Sequence, residues 1–515
     1  MAKGYGEGGA SLTRRALRGF KPNSGSPAED INENNGTLRE RSRLLYMTEP
    51  LAAAAVNTVR TKAVGTGLSL KCQVDHETLH LTPEAARAWA KRTEQEFRLW
   101  ASKRQNCDAI GMNSFNGIQQ LVLKSQLLSG DVFALFKRVP ATAANPYTLR
   151  LQLIEADRVC SPSSYGFVSG ATMRIPDGKP GAGHRICDGV EIDDDGMVVA
   201  YHICNLYPQQ TLLTEERKWT RVLAFGEKTG LPNILHVMDA ERPDQYRGVP
   251  YLAPVLESLL QLRRYKESEL TAAIVQSFLT AWIETEADPS EMPVNEVGMG
   301  DTLPEENPSG ISNNPNEYEM GPGTVITLKT GEKVQFGNPN IPTAGFENFV
   351  NAMCRHLGAA LELPSDVLQK KFDASYSASR GALLEAWESM KMMRSWLIED
   401  FCQPVYETWL AEAVAIGRIR APGFWEDPLI RQAWCGARWI GPVQGQLDPK
   451  KEVEAALLRA QYGLSTYTQI TREMSGGDWA ENMEQLARER EMLASIASAP
   501  AEPANDSGGE DEEAT

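Results

Sequence analysis

Two stretches of helical periodicity dominate this sequence, and each outruns an ordinary globular helix. The first, PYLAPVLESLLQLRRYKESELTAAIVQSFLTAWIET at residues 250–285, has Leu252, Leu256, Leu259, Leu270, Ile274 and Phe278 at its apolar positions. Unbroken, it would run about 50 Å, at about 1.5 Å per residue. The second, ASRGALLEAWESMKMMRSWLIEDFCQPVYETWLAEAVAIG at 378–417, carries Leu383, Trp387, Met390, Leu397, Phe401, Val405 and Trp409 on one face, with Pro404 expected to kink it. Between them, residues 286–323 hold many Pro, Gly and Asn and no periodicity. A short hairpin follows, GTVITLKTGEKVQF, closing at Thr330-Gly331, and then a returning helix, TAGFENFVNAMCRHLGAALEL.

The part before residue 250 reads as mixed α/β. Residues 1–36 are rich in Gly, Asn, Ser and Arg and are expected as a flexible arm. GYGEGG at 4–9 follows no strand and opens no helix, so it is not read as a phosphate loop. A helix is expected over 37–63, kinked or divided at Pro50. VGTGLSLKCQV reads as a turn and a strand. Thr82 is the expected N-cap and Pro83 the first position of the next helix, whose Trp89, Phe97 and Trp100 share an apolar face. NSFNGIQQLVLKSQLLSG at 113–130 is helical and leads into GDVFALFKRVP and LRLQLIEADRV, read as paired strands. DGVEIDDDGMVVAYHICN is a hairpin turning at Asp195-Gly196. Its triplet Asp193, Asp194, Asp195 lacks the closing glutamate of a calcium loop and reads as a solvated turn.

The pentapeptide HETLH, His76 to His80, spells the zinc-peptidase signature. That chemistry needs a helix, which turns two histidines four apart toward one metal while the glutamate reaches its water. Here a strand ends just before His76 and Pro83 starts a new helix, so the motif falls in a connector. A zinc metallopeptidase built on His76, Glu77 and His80 is the alternative function carried forward. No G-x-S-x-G elbow or G-x-x-x-x-G-K-[ST] loop is present.

The 515 residues allow several modules. No apolar run is long enough for a membrane span, and the first twenty residues lack the apolar core of a secretory signal. Eight cysteines without C-x-x-C read as reduced, mostly buried thiols. A net charge of −16 disfavours broad adhesion to nucleic acid, including a monomeric DNA-binding protein, and does not exclude one past which DNA slides without sticking. The tail APAEPANDSGGEDEEAT is acidic, poor in apolar residues and expected to be disordered.

The order of these elements resembles the portal proteins of tailed bacteriophages, specifically the lambda-like portal family. The segments carrying the resemblance include NNGTLRERSRLLYMTEPLAAAAVNTVRTKAVGTGLSLK, LLSGDVFALFKR, LQLIEADRV, GVEIDDDGMVVAYHI, RPDQYRGVPYLAPVLESLLQLRRYKESEL and LELPSDVLQKKFDASYSASRGALLEAW, over roughly 30–490. The resemblance implies an α+β portal fold. After the arm, residues 37–249 would be a mixed α/β wing, 250–285 the first stem helix and 286–342 a small α/β clip. Residues 343–363 would be the second stem helix, 364–379 a tunnel loop and 380–447 the long kinked helix and wing return. A helical crown would follow at 448–494, and the acidic tail at 495–515.

The same resemblance implies a ring homo-oligomer, commonly dodecameric, at one capsid vertex of the virion, assembled in the bacterial host cytoplasm. Double-stranded viral DNA would pass through its channel. Terminase, major capsid and scaffold proteins, and head-completion and tail adaptor proteins would be its partners, with no membrane, cofactor or catalytic residue. Some apolar positions of the long helices would then pack against neighbouring subunits. The tunnel loop would present Lys370, Lys371, Phe372, Asp373 and Ser375 to the channel. Lys370 and Lys371 are either ordinary surface lysines or, multiplied by symmetry, a ring of positive charge. Phe372 would anchor the loop.

Overall fold

The computed structural model describes residues 9–165, 172–210, 215–277, 281–285, 332–336, 345–371, 376–445 and 448–497. They divide into a larger unit, residues 1–256 with 358–515, and a smaller one, 257–357. In chain order the strands are β1 (Ser69–Cys72), β2 (Asp131–Arg138), β3 (Leu149–Glu155), β4 (Thr172–Arg174), β5 (Arg185–Cys187), β6 (Val190–Ile192), β7 (Val198–Cys204), β8 (Trp219–Leu223), β9 (Ile234–Met238), β10 (Ala281–Thr285), β11 (Glu332–Phe336) and β12 (Ala437–Ile440).

Besides the β1-β12 pair, the larger unit holds antiparallel sheets ordered β3-β2-β9 and β4-β5-β6-β7-β8. The central strand β2 is buried along most of its length, so its apolar run VFAL faces protein on both sides. Phe133 sits opposite Ile154 on one flank and His236 on the other. A core of Phe133, Ile154, Val159, Val190, Ile192, Tyr201, Ile203 and Ile234 joins residues of both sheets. Strands β6 and β7 form the expected hairpin. Its turn is held by Asp193, whose carboxylate accepts from the backbone N–H groups of Asp195 and Met197, and Gly196 supplies a φ of +90°.

Helices cover this body for reasons readable in their ends. Thr82 accepts from the Ala85 N–H and Pro83 opens the helix Pro83–Ala101, as expected. Ser114 caps Phe115–Ser129 in the same way. Pro50 divides its helix: Glu49 is extended, and Pro50 opens a second helix, Pro50–Ala63. The helical start expected near residue 37 lies earlier, because a π-helical turn, Ala28–Asn32, runs into the helix Glu33–Thr48. The buried Asn35 donates to the Gly248 carbonyl at 2.8 Å, a tertiary contact that local composition does not reveal.

The second long pattern is continuous helix over Tyr376–Ala415, with a π-helical turn at Ile398–Cys402 just before Pro404. The wider turn lets the chain continue where proline cannot donate. Its face buries Phe401, Val405 and Trp409. There Phe97 meets Trp409 at 5.1 Å and Tyr406 at 5.9 Å, both edge to face, and Phe115 stacks on Phe401 at 5.9 Å. Aromatic pairs of this geometry contribute about 0.5–1.5 kcal/mol each beyond their area. Strand β12 pairs with β1, tying the tryptophan-dense segment to the early part of the chain. Three helices follow, Pro449–Gln461, Tyr467–Ser475 and Trp479–Ala497.

The smaller unit corrects one expectation. The first long pattern does not stay helical to residue 285. It forms the helix Leu256–Ser277, and Ala281–Thr285 is strand β10, paired antiparallel with β11. The β-favouring residues of AWIET, Trp282, Ile283 and Thr285, suit a strand once a partner is present. On the helix, Leu259 and Leu262 are buried, whereas Leu270 and Ile274 are exposed. The returning helix is Phe346–Ala360, and its Phe346 and Phe349 rings meet Tyr265 at 5.8 and 4.5 Å. The first arm of the expected hairpin GTVITLKTGEKVQF lies outside the described residues.

Candidate functional site

The segment leading to Lys370 is closely specified. At the end of the helix Phe346–Ala360 the chain turns sharply, and the Leu363 N–H donates to the Gly358 carbonyl at 2.9 Å. A Cβ on Gly358 would lie 2.3 Å from the Leu363 carbonyl oxygen, so only glycine permits the turn. Leu361 and Leu363 are buried. The single-turn helix Ser365–Gln369, expected as loop, buries Val367 and Leu368 and packs on Pro50–Ala63. Lys370 ends that turn with φ +57°, and the Lys371 N–H returns to the Asp366 carbonyl. Left-handed backbone at a helix end is usually left to Gly or Asn, and in other residues such conformations cost on the order of 1–3 kcal/mol. Both lysines are exposed and adjacent at this turn. Phe372, Asp373 and Ser375 lie outside the described residues, so the structure brings together two of the five expected loop residues.

HETLH adopts a turn. Its backbone is closed by Asp75, whose carboxylate accepts from the N–H groups of Glu77 and Thr78 and from the Thr78 hydroxyl. His80 takes φ +52° and, with Glu77, is exposed. A turn does not stack residues four apart on one helical face, so His76 and His80 do not share the geometry that the zinc chemistry requires. The cysteines are equally quiet: no disulfide links any of the eight. Burial pushes the thiols of Cys72, Cys107 and Cys435 up to about 12, far from thiolate reactivity.

Two buried carboxylates that sequence reading did not single out gather arginine and histidine around them. Asp131 opens β2. It is bound by Arg247 Nε at 2.6 Å and Arg39 Nη2 at 3.4 Å, with His236 Nε2 at 3.4 Å. Arg247 is fully buried and also donates to the carbonyls of Ala156 and Val159 and to the Asp188 carboxylate. Burial works to raise the Asp131 pKa, but the two guanidinium groups hold it well below the usual carboxylate range. Burial chiefly depresses His236, keeping its ring neutral against Asp131.

Glu191, on β6, receives a forked pair from Arg221, 2.7 Å at each oxygen, with His184 Nδ1 at 2.8 Å and His202 Nε2 at 3.0 Å. Burial opposes ionisation here too, yet the Arg221 fork and the two histidines bring its pKa to about 2. Both clusters bind their carboxylate through several charged or polar partners and tie segments of the fold together, so they read as scaffolding.

The family model for phage portal proteins of the lambda family matches residues 13–394. The portal protein of Escherichia phage N15 is 23% identical over 513 residues, covering 94% of this chain and 89% of that protein. Portal protein B of Escherichia phage lambda is 23% identical with the same coverage. Among solved structures, a chain from the neck of the native gene transfer agent particle, computed with C12 symmetry, aligns with TM-score 0.44 and 13% identity, over 85% of this chain and 92% of that one. An HK97 family phage portal protein from Corynebacterium diphtheriae aligns with TM-score 0.31 and 10% identity, over 75% and 92%. The chain belongs to the lambda family of phage portal proteins, a structural class without enzymatic activity, and the α+β portal fold is the one expected of it.

Proposed function

We propose that this subunit assembles into a closed ring, a dodecamer, that sits at one capsid vertex of the virion and passes double-stranded DNA during packaging and ejection. The observation that carries this reading is the portal-family match over residues 13–394. The exposure of Leu270 supports it, because an apolar position left 63% exposed among the described residues of a long helix would be buried by a neighbour in a ring. Residues 257–357 would supply the stem and clip that meet terminase and, later, head-completion and tail adaptor proteins. Capsid and scaffold proteins would hold the ring in the shell assembled in the host cytoplasm.

The electrostatics suit a conduit. Duplex DNA carries one charge per about 1.7 Å of axis, so a broadly basic bore would trap it. Subunits of net charge −16 repel phosphate, while Lys370 and Lys371, repeated around a ring, would offer one narrow level of contact. Native mass spectrometry with electron microscopy of the purified protein tests the ring. Closed rings with a central hole are expected, and a stable monomer binding one zinc would overturn the reading. The loop is tested by Lys370→Ala/Lys371→Ala. Rings should form normally while DNA packaging or retention falls, and unchanged packaging would return both lysines to ordinary surface residues. Lys370→Gly separates charge from backbone: it should relieve the left-handed turn yet show the same DNA defect.

A further inference from the structure

We propose that the basic N-terminal arm of one subunit docks into an acidic cleft on its neighbour, latching adjacent subunits together. The inference rests on the ring reading above. The cleft, of about 230 Å³, lies beside the start of β2. Leu123, Leu127, Met392, Met393 and Trp396 give it an apolar floor, and Asp239, Glu241 and Glu362 line it without any Lys or Arg. Among the described residues no basic side chain forms an ion pair with these three carboxylates. Asp239 is held above its ordinary range by burial and by Glu362, so the group is short of positive charge.

The occupant is argued from the other end of the same chain. The segment LTRRALRGFK, residues 12–21, carries Arg14, Arg15, Arg18 and Lys21 and no acidic residue, in a protein of net charge −16. Leu12 and Phe20 are 81% and 71% exposed, an unusual cost for an apolar side chain with a partner nearby. The arm is anchored close to the cleft: Arg242, next to the lining residue Glu241, donates to the Gly25 carbonyl at 3.0 Å and pairs with Asp30 at 2.7 Å. Yet no residue of the arm lines the cleft of its own chain. Residues 12–24 can span roughly 40 Å when extended, at about 3.3 Å per residue, enough to reach an adjoining copy. Phe20 would enter over Met392, Met393 and Trp396, where aromatic and thioether groups pack well, and the cations would meet the rim carboxylates.

The test uses assembled rings of the full chain. Subunits carrying Phe20→Cys are mixed with subunits carrying Met392→Cys, co-assembled and mildly oxidised. A covalent dimer that needs both cysteines and maps to that pair is expected. Rings that form but give no such dimer overturn the latch while leaving the portal reading intact, whereas an unsubstituted chain that stays a monomer and binds one zinc sinks the ring reading itself. If a single chain carrying both cysteines crosslinks only within itself, the arm folds back and the proposal is wrong. Charge reversal at Arg14, Arg15 and Arg18 to Glu should make rings dissociate at lower salt, and adding Asp239→Lys and Glu362→Lys should restore them. Reversed-arm rings of unchanged salt resistance that lose only DNA retention would make DNA, not a neighbouring subunit, the arm's ligand and overturn the latch.

Discussion

Asp131 and Glu191 are both carboxylates without solvent exposure, each bound by arginine and histidine, yet they are held in opposite ways. The cations of Asp131, Arg39 and Arg247, are themselves buried and come from positions 92 and 116 residues away in the chain. The partners of Glu191 lie within 30 residues, and Arg221 and His184 are 23% and 32% exposed. One cluster is a long-range clasp whose central carboxylate and both arginines are sealed in, with Asp188 28% exposed at its rim. The other is a local clasp with a route to water. A buried ion pair contributes little net stability by existing, but losing one member strands the other. The price of disruption is therefore set by where the orphaned cation can go.

The largest expected effect follows directly. Asp131→Ala removes the one fully buried carboxylate shared by two buried guanidinium groups, leaving Arg247 with Asp188 at 2.8 Å and Arg39 with Asp188 and Asp157 at 3.7 and 3.9 Å, and should destabilise the subunit by about 4 kcal/mol, within the range for breaking a buried pair. Urea unfolding followed by tryptophan fluorescence reads it, since Trp100 and Trp409 lie in the body that would open. Glu191→Gln should cost less, about 3 kcal/mol, which is also what a pKa moved from 4.5 to about 2 is worth near neutral pH. If the two substitutions cost the same, the distinction between sealed and vented clusters fails.

Acid should separate the clusters without mutation. Glu191 has a depressed folded-state pKa, so its contribution is complete above pH 4.5 and is lost as pH falls from 4.5 toward 2. His236 is depressed below 6.5, so neutral His236 contributes fully above pH 6.5, and that contribution is lost as pH falls below it. The Asp131 site should therefore weaken first. His236→Phe, which keeps a ring against Phe133, should flatten the stability slope just below pH 6.5 and leave the slope below pH 4.5 in place. A slope below pH 6.5 that survives the substitution would assign it elsewhere.

The contrast also explains what could be read in the sequence. Signals confined to a few residues were legible: Thr82 with Pro83, Pro50 as a divider, and Asp195-Gly196 as a turn all act through neighbouring backbone. The position of HETLH was legible for the same reason, since a strand end and a proline bracket it. Asp131, Arg39 and Arg247 were not, because nothing local to three charges so far apart announces that the fold will bring them together. Glu191 hides differently, as one polar residue between Val190 and Ile192 in a strand of three residues. The strand Ala281–Thr285 was missed because apolar periodicity continues through it, and only a remote partner strand decides its state. The cleft at Asp239 and Glu362 has the same character. Of the expected loop, Lys370 and Lys371 were placed together by sequence adjacency, but the left-handed turn at Lys370 carries no glycine to signal it.

Arg221→Lys gives the smallest and most discriminating effect. It keeps the positive charge beside Glu191 but replaces a planar fork, now 2.7 Å from each oxygen, with a single ammonium that cannot reach both at once. Because Arg221 is partly exposed, water can satisfy the carboxylate oxygen that loses its donor, and the cost should be only about 1 kcal/mol. The Glu191 pKa should rise, moving the onset of acid unfolding upward while leaving the His236-linked slope untouched. Stability and acid onset measured on the same samples check both parts. A loss as large as that of Glu191→Gln would mean that water does not enter, and that this cluster is as sealed as the one around Asp131.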